Sequence, residues 1–256
     1  MSQDARRACI QAVGRCLQGE DLQQALNRVL DRPGLKEADK GLITKISYGY
    51  LRHRKGLEFI LARTVSGKLK KLPFPLVLRL GLALYELLHL ERVPEYATVH
   101  WYVENVKQEV STRLSGLANA VLRQVVRSGD SLLEPEFYWH GTSSKATFWG
   151  RYYSCPKWIV DLWRESYGEN ACLRLLQESL RPPRVGVRVN RTLPEAGQLY
   201  FSLAEEAELT LKEDFGLALE HTPARLGEME QQGQLTRQSF AAQLVMSQLD
   251  PGSWPD

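Results

Sequence analysis

The chain has 256 residues, 43% hydrophobic and 25% charged, the balance of a folded globular protein rather than a disordered or fibrous one. No apolar run approaches the ~20 residues that cross a bilayer. The N-terminal MSQDARRACIQAV also lacks the apolar core of a secretion signal, so a cytoplasmic protein with no membrane association is expected.

The net charge of +3 hides an asymmetry. Met1 to Asp130 carries 21 Lys and Arg against 13 Asp and Glu, whereas Ser131 to Asp256 carries 12 against 17. A basic half of this kind suits a polyanionic partner, the bland alternative being ordinary solubilising charge. The four cysteines, Cys9, Cys16, Cys155 and Cys172, form no CxxC pair and no Cys/His cluster of zinc-ligand spacing. They are expected as free thiols, with no metal site, Cys9 and Cys16 packing on one face of the first helix.

In chain order, the first 128 residues suggest helices throughout, with Pro33, Pro73, Pro75 and Pro94 standing between periodic stretches. Leu76, Val77, Leu80, Leu84, Leu87 and Leu88 recur at helical spacing, and Leu78 and Leu82 widen the stripe until little but Arg79 and Glu86 stays polar. A helix apolar almost all round is a central one, wrapped by others. After Val93-Pro94, Val99, Val103, Val106 and Val110 mark the next helix, and Leu114, Leu117, Val121, Leu122 and Val125 mark its partner.

Ser128-Gly129-Asp130 marks a first boundary. Residues 130–150 lack a clear period but hold Phe137, Tyr138, Trp139, Phe148 and Trp149, which predicts a linker packed along a domain surface or, as a sharper alternative, a platform for stacking bases. Lys157 to Tyr167 and Asn170 to Leu180 suggest two helices joined at Gly168. Val185 to Asn190 alternates in strand fashion. A helix over Ala196 to Glu206, strands near Glu208 to Lys212, Leu217 to Glu220 and Gln234 to Gln238, and a helix over Phe240 to Leu249 complete a small α+β domain. The expected organisation is a mainly α protein: an all-α bundle over 1–129, the linker over 130–150, and the α+β domain over 151–256.

Three segments, Leu78 to Leu88, Val93 to Val99 and Leu117 to Arg123, closely resemble in order and spacing the central, Pro-initiated and closing helices of the NusB helical fold. Trp101 departs from that pattern, standing where NusB-like domains often carry Glu. Arg181 to Thr192 resembles the signature strand of the Sun/Fmu group, S-adenosylmethionine-dependent methyltransferases that make 5-methylcytosine in small-subunit ribosomal RNA. Gly233 to Val245 resembles the element just upstream of that group's catalytic domain, although Gln238-Ser239 and Ala242 replace its usual Gln-Asp, small residue and Ser. The resemblance implies small-subunit ribosomal RNA as partner and S-adenosylmethionine as cofactor of the full-length protein. The group's Pro-Cys and Thr-Cys dipeptides and its glycine-rich cofactor loop have no counterpart here. This chain alone is therefore expected to hold no cofactor and no catalytic residue, to stop short of the catalytic domain, and to act as a monomer. Two alternatives stay open: a NusB-type antitermination factor, and a protein-interaction scaffold.

The candidate RNA contacts are Lys and Arg clusters, since phosphates demand cations. Arg6 and Arg7 open the first helix, where NusB-like domains carry basic residues facing RNA. Arg52, Arg54 and Lys55, with His53, are placed at a helix junction, and Lys68, Lys70 and Lys71 precede Pro73. For each cluster the alternative is a solvated face. In the strand, Val185, Val187 and Val189 face a core. Arg184, Arg188 and Asn190 then share the other face, with Arg181 and Arg191 at its ends, for RNA contact or for ion pairs with Glu205, Glu206 and Glu208. His89, His100 and His221 are expected at the surface or core edge.

Overall fold

The computed structural model describes residues 3–65, 69–91, 93–211, 215–219, 223 and 225–248. Expectations for Lys68, Lys212, Glu220, His221 and Leu249 therefore lie outside the described residues. The chain divides into two compact units, Met1–Leu180 and Arg181–Asp256.

The first unit is helical: α1 (Gln3–Leu17), α2 (Leu22–Leu30), α3 (Glu37–Thr64), α4 (Phe74–His89), α5 (Glu95–Glu109), α6 (Thr112–Ser128), α7 (Pro135–Tyr138), α8 (Lys145–Tyr152) and α9 (Lys157–Ser179). Local chemistry sets the starts. Asp21 caps α2 by accepting the Gln24 N–H at 3.0 Å, Ser144 caps α8 by accepting from Thr147, and Pro73 and Pro94 precede α4 and α5. Helix α4 is central as its sequence demands: Leu76, Leu80, Leu82 and Leu84 are fully buried, packed by α1, α3, α5 and α6. Each such leucine contributes roughly 1.5–3 kcal/mol by leaving water.

Two expectations are corrected here. Residues 130–150 are not a linker, because Tyr138, Phe148 and Trp149 join the same buried core as α1–α6. Tyr138 stacks on Phe59 of α3 at 5.6 Å, and α8 packs on both α3 and α9. The boundary consequently falls after Leu180, not at Gly129. Within α9, Gly168 leaves the helical region (φ 77°, ψ 169°), so the expected break occurs there.

The second unit holds β1 (Val185–Val189), α10 (Ala196–Ala204), β2 (Ala207–Leu211), β3 (Gly216–Leu219), α11 (Leu226–Gln231), β4 (Leu235–Arg237) and α12 (Phe240–Ser247). The sheet is antiparallel in the order β2-β3-β1-β4, with Val187 opposite Leu217 and Val189 opposite Leu235. Val187, Val189, Leu217 and Leu235 pack with Tyr200, Leu203, Leu226 and Met229 from α10 and α11. The other face carries Gly186 and Gly216, and α12 lies against it. A Cβ on Gly186 would stand 2.1 Å from the Gln238 carbonyl oxygen, so only glycine admits that approach.

Candidate nucleic-acid interface

The predicted basic clusters meet different fates. Arg6 does not reach solvent: it is 4% exposed, and its Nη2 lies 2.9 Å from Glu86 Oε2 of α4, which is 1% exposed. Thr98 and Tyr102 of α5 donate to the same carboxylate, Tyr102 at 2.7 Å. Burial and the Glu86 charge raise the Tyr102 pKa well above the usual phenol range, so its hydroxyl stays a donor. Trp101, the residue departing from the NusB pattern, places its ring 5.4 Å from the Arg6 guanidinium. Arg6 is therefore a structural ion-pair member, and the expectation that it faces RNA is withdrawn.

Arg7, one residue on, is exposed and bonds Glu109 at 3.2 Å; Glu109 also receives Arg79 at 2.9 Å. Arg52, Arg54 and Lys55 are not at a helix junction, because α3 runs unbroken from Glu37 to Thr64. Gly56 does not break it. This glycine is a point of close approach, where a Cβ would meet Ser154 Oγ and the Arg151 carbonyl oxygen at 3.1 Å. Arg54 pairs with Glu58 one turn on, whereas Arg52 and Lys55 form no ion pair among the described residues. Lys70 and Lys71 lie exposed on the short 3₁₀ turn Leu69–Lys71.

On the sheet, the strand-face expectation is corrected in part. Asn190 is spent within the fold: its Nδ2 donates to the Gly233 carbonyl at 2.9 Å, ahead of β4, and its Oδ1 caps its own turn by accepting from the Thr192 backbone and hydroxyl. Arg184 takes the ion-pair alternative with Glu208, whose pKa falls below the usual carboxylate range through that hydrogen bond. Arg191 lies 5.8 Å from the Phe215 ring, and Arg181 is exposed. Arg188, opposite Gly216 and Thr236, is half-buried on the face where α12 packs. Of the predicted strand cluster, this face presents only Arg188 within β1 itself.

Sequence reasoning missed a larger feature. A groove of about 640 Å³ runs between α5 and α6, bordered by Tyr96, His100, Asn119, Arg123 and Arg127. Tyr96 is 78% exposed, and Arg123 and Arg127 stand one turn apart on one face of α6. The i, i+4 spacing of the two arginines was visible in the sequence, but only pairing α5 with α6 sets them beside an unburied tyrosine. An aromatic ring beside guanidinium groups can stack bases and hold phosphates.

The thiols are poor nucleophiles as placed. Burial pushes Cys9 up to about 12 and raises Cys16, Cys155 and Cys172 as well, so all four stay protonated near neutrality. Among the described residues no group of three or more His, Cys, Asp and Glu is placed to hold a metal, and no helix is long and apolar enough to cross a membrane. The described strand pairings do not form a Rossmann-like cradle for S-adenosylmethionine. A Rossmann-like cradle uses a parallel strand–helix crossover, and the strand pairings described here are antiparallel.

A helical bundle with this central α4 has the NusB-like fold, and residues 3–127 match the model described as the NusB family. More particular relatives align well past that domain. The chain is 29% identical over 236 residues, 89% of its length, to the probable ribosomal RNA small subunit methyltransferase B of Bacillus subtilis (strain 168), covering 50% of that protein. It is 28% identical over 263 residues to the ribosomal RNA small subunit methyltransferase B of Escherichia coli O7:K1 (strain IAI39 / ExPEC), covering 96% of this chain and 55% of that one. It thus spans about half the length of the curated relatives it matches. A structure titled "Crystal Structure of PH0851" superposes with a TM-score of 0.63 at 14% identity, covering 98% of this chain and 56% of that one, a likeness of fold.

Proposed function

We propose that this chain is the RNA-gripping region of a small-subunit ribosomal RNA (cytosine-5) methyltransferase. The observation that carries this reading is the reach of the similarity. It continues past residue 127, where the NusB match ends, and covers 89% of the chain in a relative named as a probable ribosomal RNA small subunit methyltransferase B. A stand-alone antitermination factor would share the bundle alone. On this reading methyl transfer with S-adenosylmethionine belongs to the half of the relatives that these residues do not span. The chain acts as a monomer in the cytoplasm, where ribosomal RNA is found.

The cations proposed for phosphate contact are Arg7, Arg52, Arg54, Lys55, Lys70 and Lys71, with Arg123 and Arg127 of the α5–α6 groove. Arg181, Arg184, Arg188 and Arg191 add positive potential on the second unit. Each neutralised phosphate contributes roughly −0.7 to −0.9 to the slope of log K against log salt. Fluorescence anisotropy with labelled small-subunit ribosomal RNA fragments tests the reading. A steep loss of affinity between low and physiological salt is expected; binding indifferent to salt, or no binding, refutes it.

A further inference from the structure

Beyond the basic surface, the first unit contains a cavity of about 340 Å³ bounded by α3, the last residue of α4, and the segments α7 to α9. Three of its walls, α7, α8 and α9, lie outside residues 3–127, so the cavity forms only because the chain continues past the NusB-matching part. Its lining is unusual for a packing defect. His53 and His89 face each other with ring centroids 4.3 Å apart, and Tyr138 and Tyr152 meet edge to face at 5.3 Å. Ser154 sits at φ 52°, a backbone conformation that non-glycine residues avoid, and its Oγ accepts the Gly56 N–H at 2.9 Å. That leaves the hydroxyl proton free to donate. Gln177 adds an exposed amide at the edge.

These groups share one chemistry: planar rings beside neutral donors and acceptors, with no carboxylate or ammonium in the lining. Burial pushes His53 and His89 down to about 4, so near neutrality each ring offers one donor and one acceptor nitrogen. An uncharged, planar, hydrogen-bonding heterocycle is the ligand such a set recognises. Positive charge stands close by without entering: Arg52 is near enough to act on His53 and Tyr85, and Lys55 on Cys155, which follows Ser154.

We propose that this cavity seats one unpaired nucleobase of a bound RNA strand, its flanking phosphates held by Arg52 and Lys55. The inference rests on the RNA reading above and assigns that reading a subsite. Single-stranded recognition commonly splays a base onto aromatic side chains and reads its edge, which a duplex cannot offer.

The test is photocrosslinking of a 5-iodouridine-substituted single-stranded ten-nucleotide RNA, the same sequence in a duplex, and free uridine as competitor, with adducts mapped by mass spectrometry. Crosslinks on peptides holding Tyr138, Tyr152, His53 or His89 are expected for the single strand and not for the duplex. Gln177→Trp, a substitution at an exposed helical position that fills the mouth, should weaken single-strand binding roughly 5- to 150-fold, the value of one stacked base. Ser154→Gly, which relieves the strained φ but removes the hydroxyl, should weaken it less while circular dichroism stays unchanged. If the strand binds but crosslinks elsewhere and Gln177→Trp binds like the parent, the cavity assignment is wrong and the RNA reading survives. If free uridine competes as strongly as the strand, the occupant is a small heterocycle and not RNA. If no RNA binds, both readings fall.

Discussion

Arg6 of α1 and Glu86 of α4 form a buried ion pair, 2.9 Å apart, that α5 completes with the hydroxyls of Thr98 and Tyr102. Three helices are fastened by one carboxylate. Removing one partner of such a pair leaves the other charge stranded without water, at a cost of roughly 3–5 kcal/mol. Arg6→Met should therefore lower stability in urea by about that amount, while the double variant Arg6→Met/Glu86→Leu should lose less than twice as much because neither charge remains. Salt dependence of RNA binding should not change, since Arg6 has no solvent-facing guanidinium. A folded Arg6→Met protein as stable as the parent would refute the structural role.

That pair also marks where sequence stops being legible. A charged residue near an N-terminus signals surface until its partner, 80 positions away, is known. Periodicity works where helices are long: Val99, Val106, Leu122 and Val125 are buried as their spacing implies. It fails for α7 and α8, four and eight residues long, which are too short to repeat a stripe, so their aromatic residues looked like linker when they are core. The α+β pattern of the second unit was visible in the alternation of Val185 to Asn190. What covered its far face was not, because Gly186 and Gly216 advertise nothing about the helix they admit.

The His53–His89 pair gives a pH signature. Both imidazoles are held near 4 in the fold against about 6.5 when unfolded, through burial and, for His53, the charges of His89 and Arg52. Between those values the unfolded chain binds more protons, so this part of the stability is present above about pH 6.5 and is lost as pH falls towards 4. Unfolding near pH 5 should take up close to two more protons in the parent than in His53→Phe/His89→Phe. Measuring the urea midpoint from pH 7.5 to 4.5 checks this. Equal slopes for parent and double variant would show that the two rings titrate normally.

The α5–α6 groove offers a test separated from folding. Arg123 and Arg127 are exposed on α6, so Arg123→Ala/Arg127→Ala should leave the melting temperature nearly unchanged. If both guanidinium groups hold phosphates, RNA affinity should fall and the salt slope should become shallower by roughly 1.4–1.8. Tyr96→Ala should weaken binding without altering that slope, because stacking releases no counterions. A double variant with the parent's affinity and slope would remove the groove from the RNA surface.

The last prediction concerns what holds α12 on the sheet. Gln243 of α12 is buried and donates from Nε2 to the Val187 carbonyl at 3.2 Å and to the Gln238 carbonyl at 2.8 Å, bridging the helix to β1. A Cβ on Gly216 would stand 2.0 Å from Gln243 Oε1, so the amide fits only above a glycine. Gly216→Ala and Gln243→Leu should therefore both loosen α12. Gln243→Leu removes the amide's hydrogen bonds to the Val187 and Gln238 carbonyls, which costs roughly 0.5–1.5 kcal/mol for each. Val187→Asp is the harsher control: it buries an unpaired carboxylate beneath α10 and α11 and should unfold the second unit. Amide hydrogen exchange distinguishes the cases. For Gly216→Ala and Gln243→Leu, faster exchange should be confined to β1, β3 and α12, with α1–α6 protected as in the parent. For Val187→Asp it should spread over Val185–Ser247. Unchanged protection in β1 after Gln243→Leu would mean that α12 is held by something other than this amide.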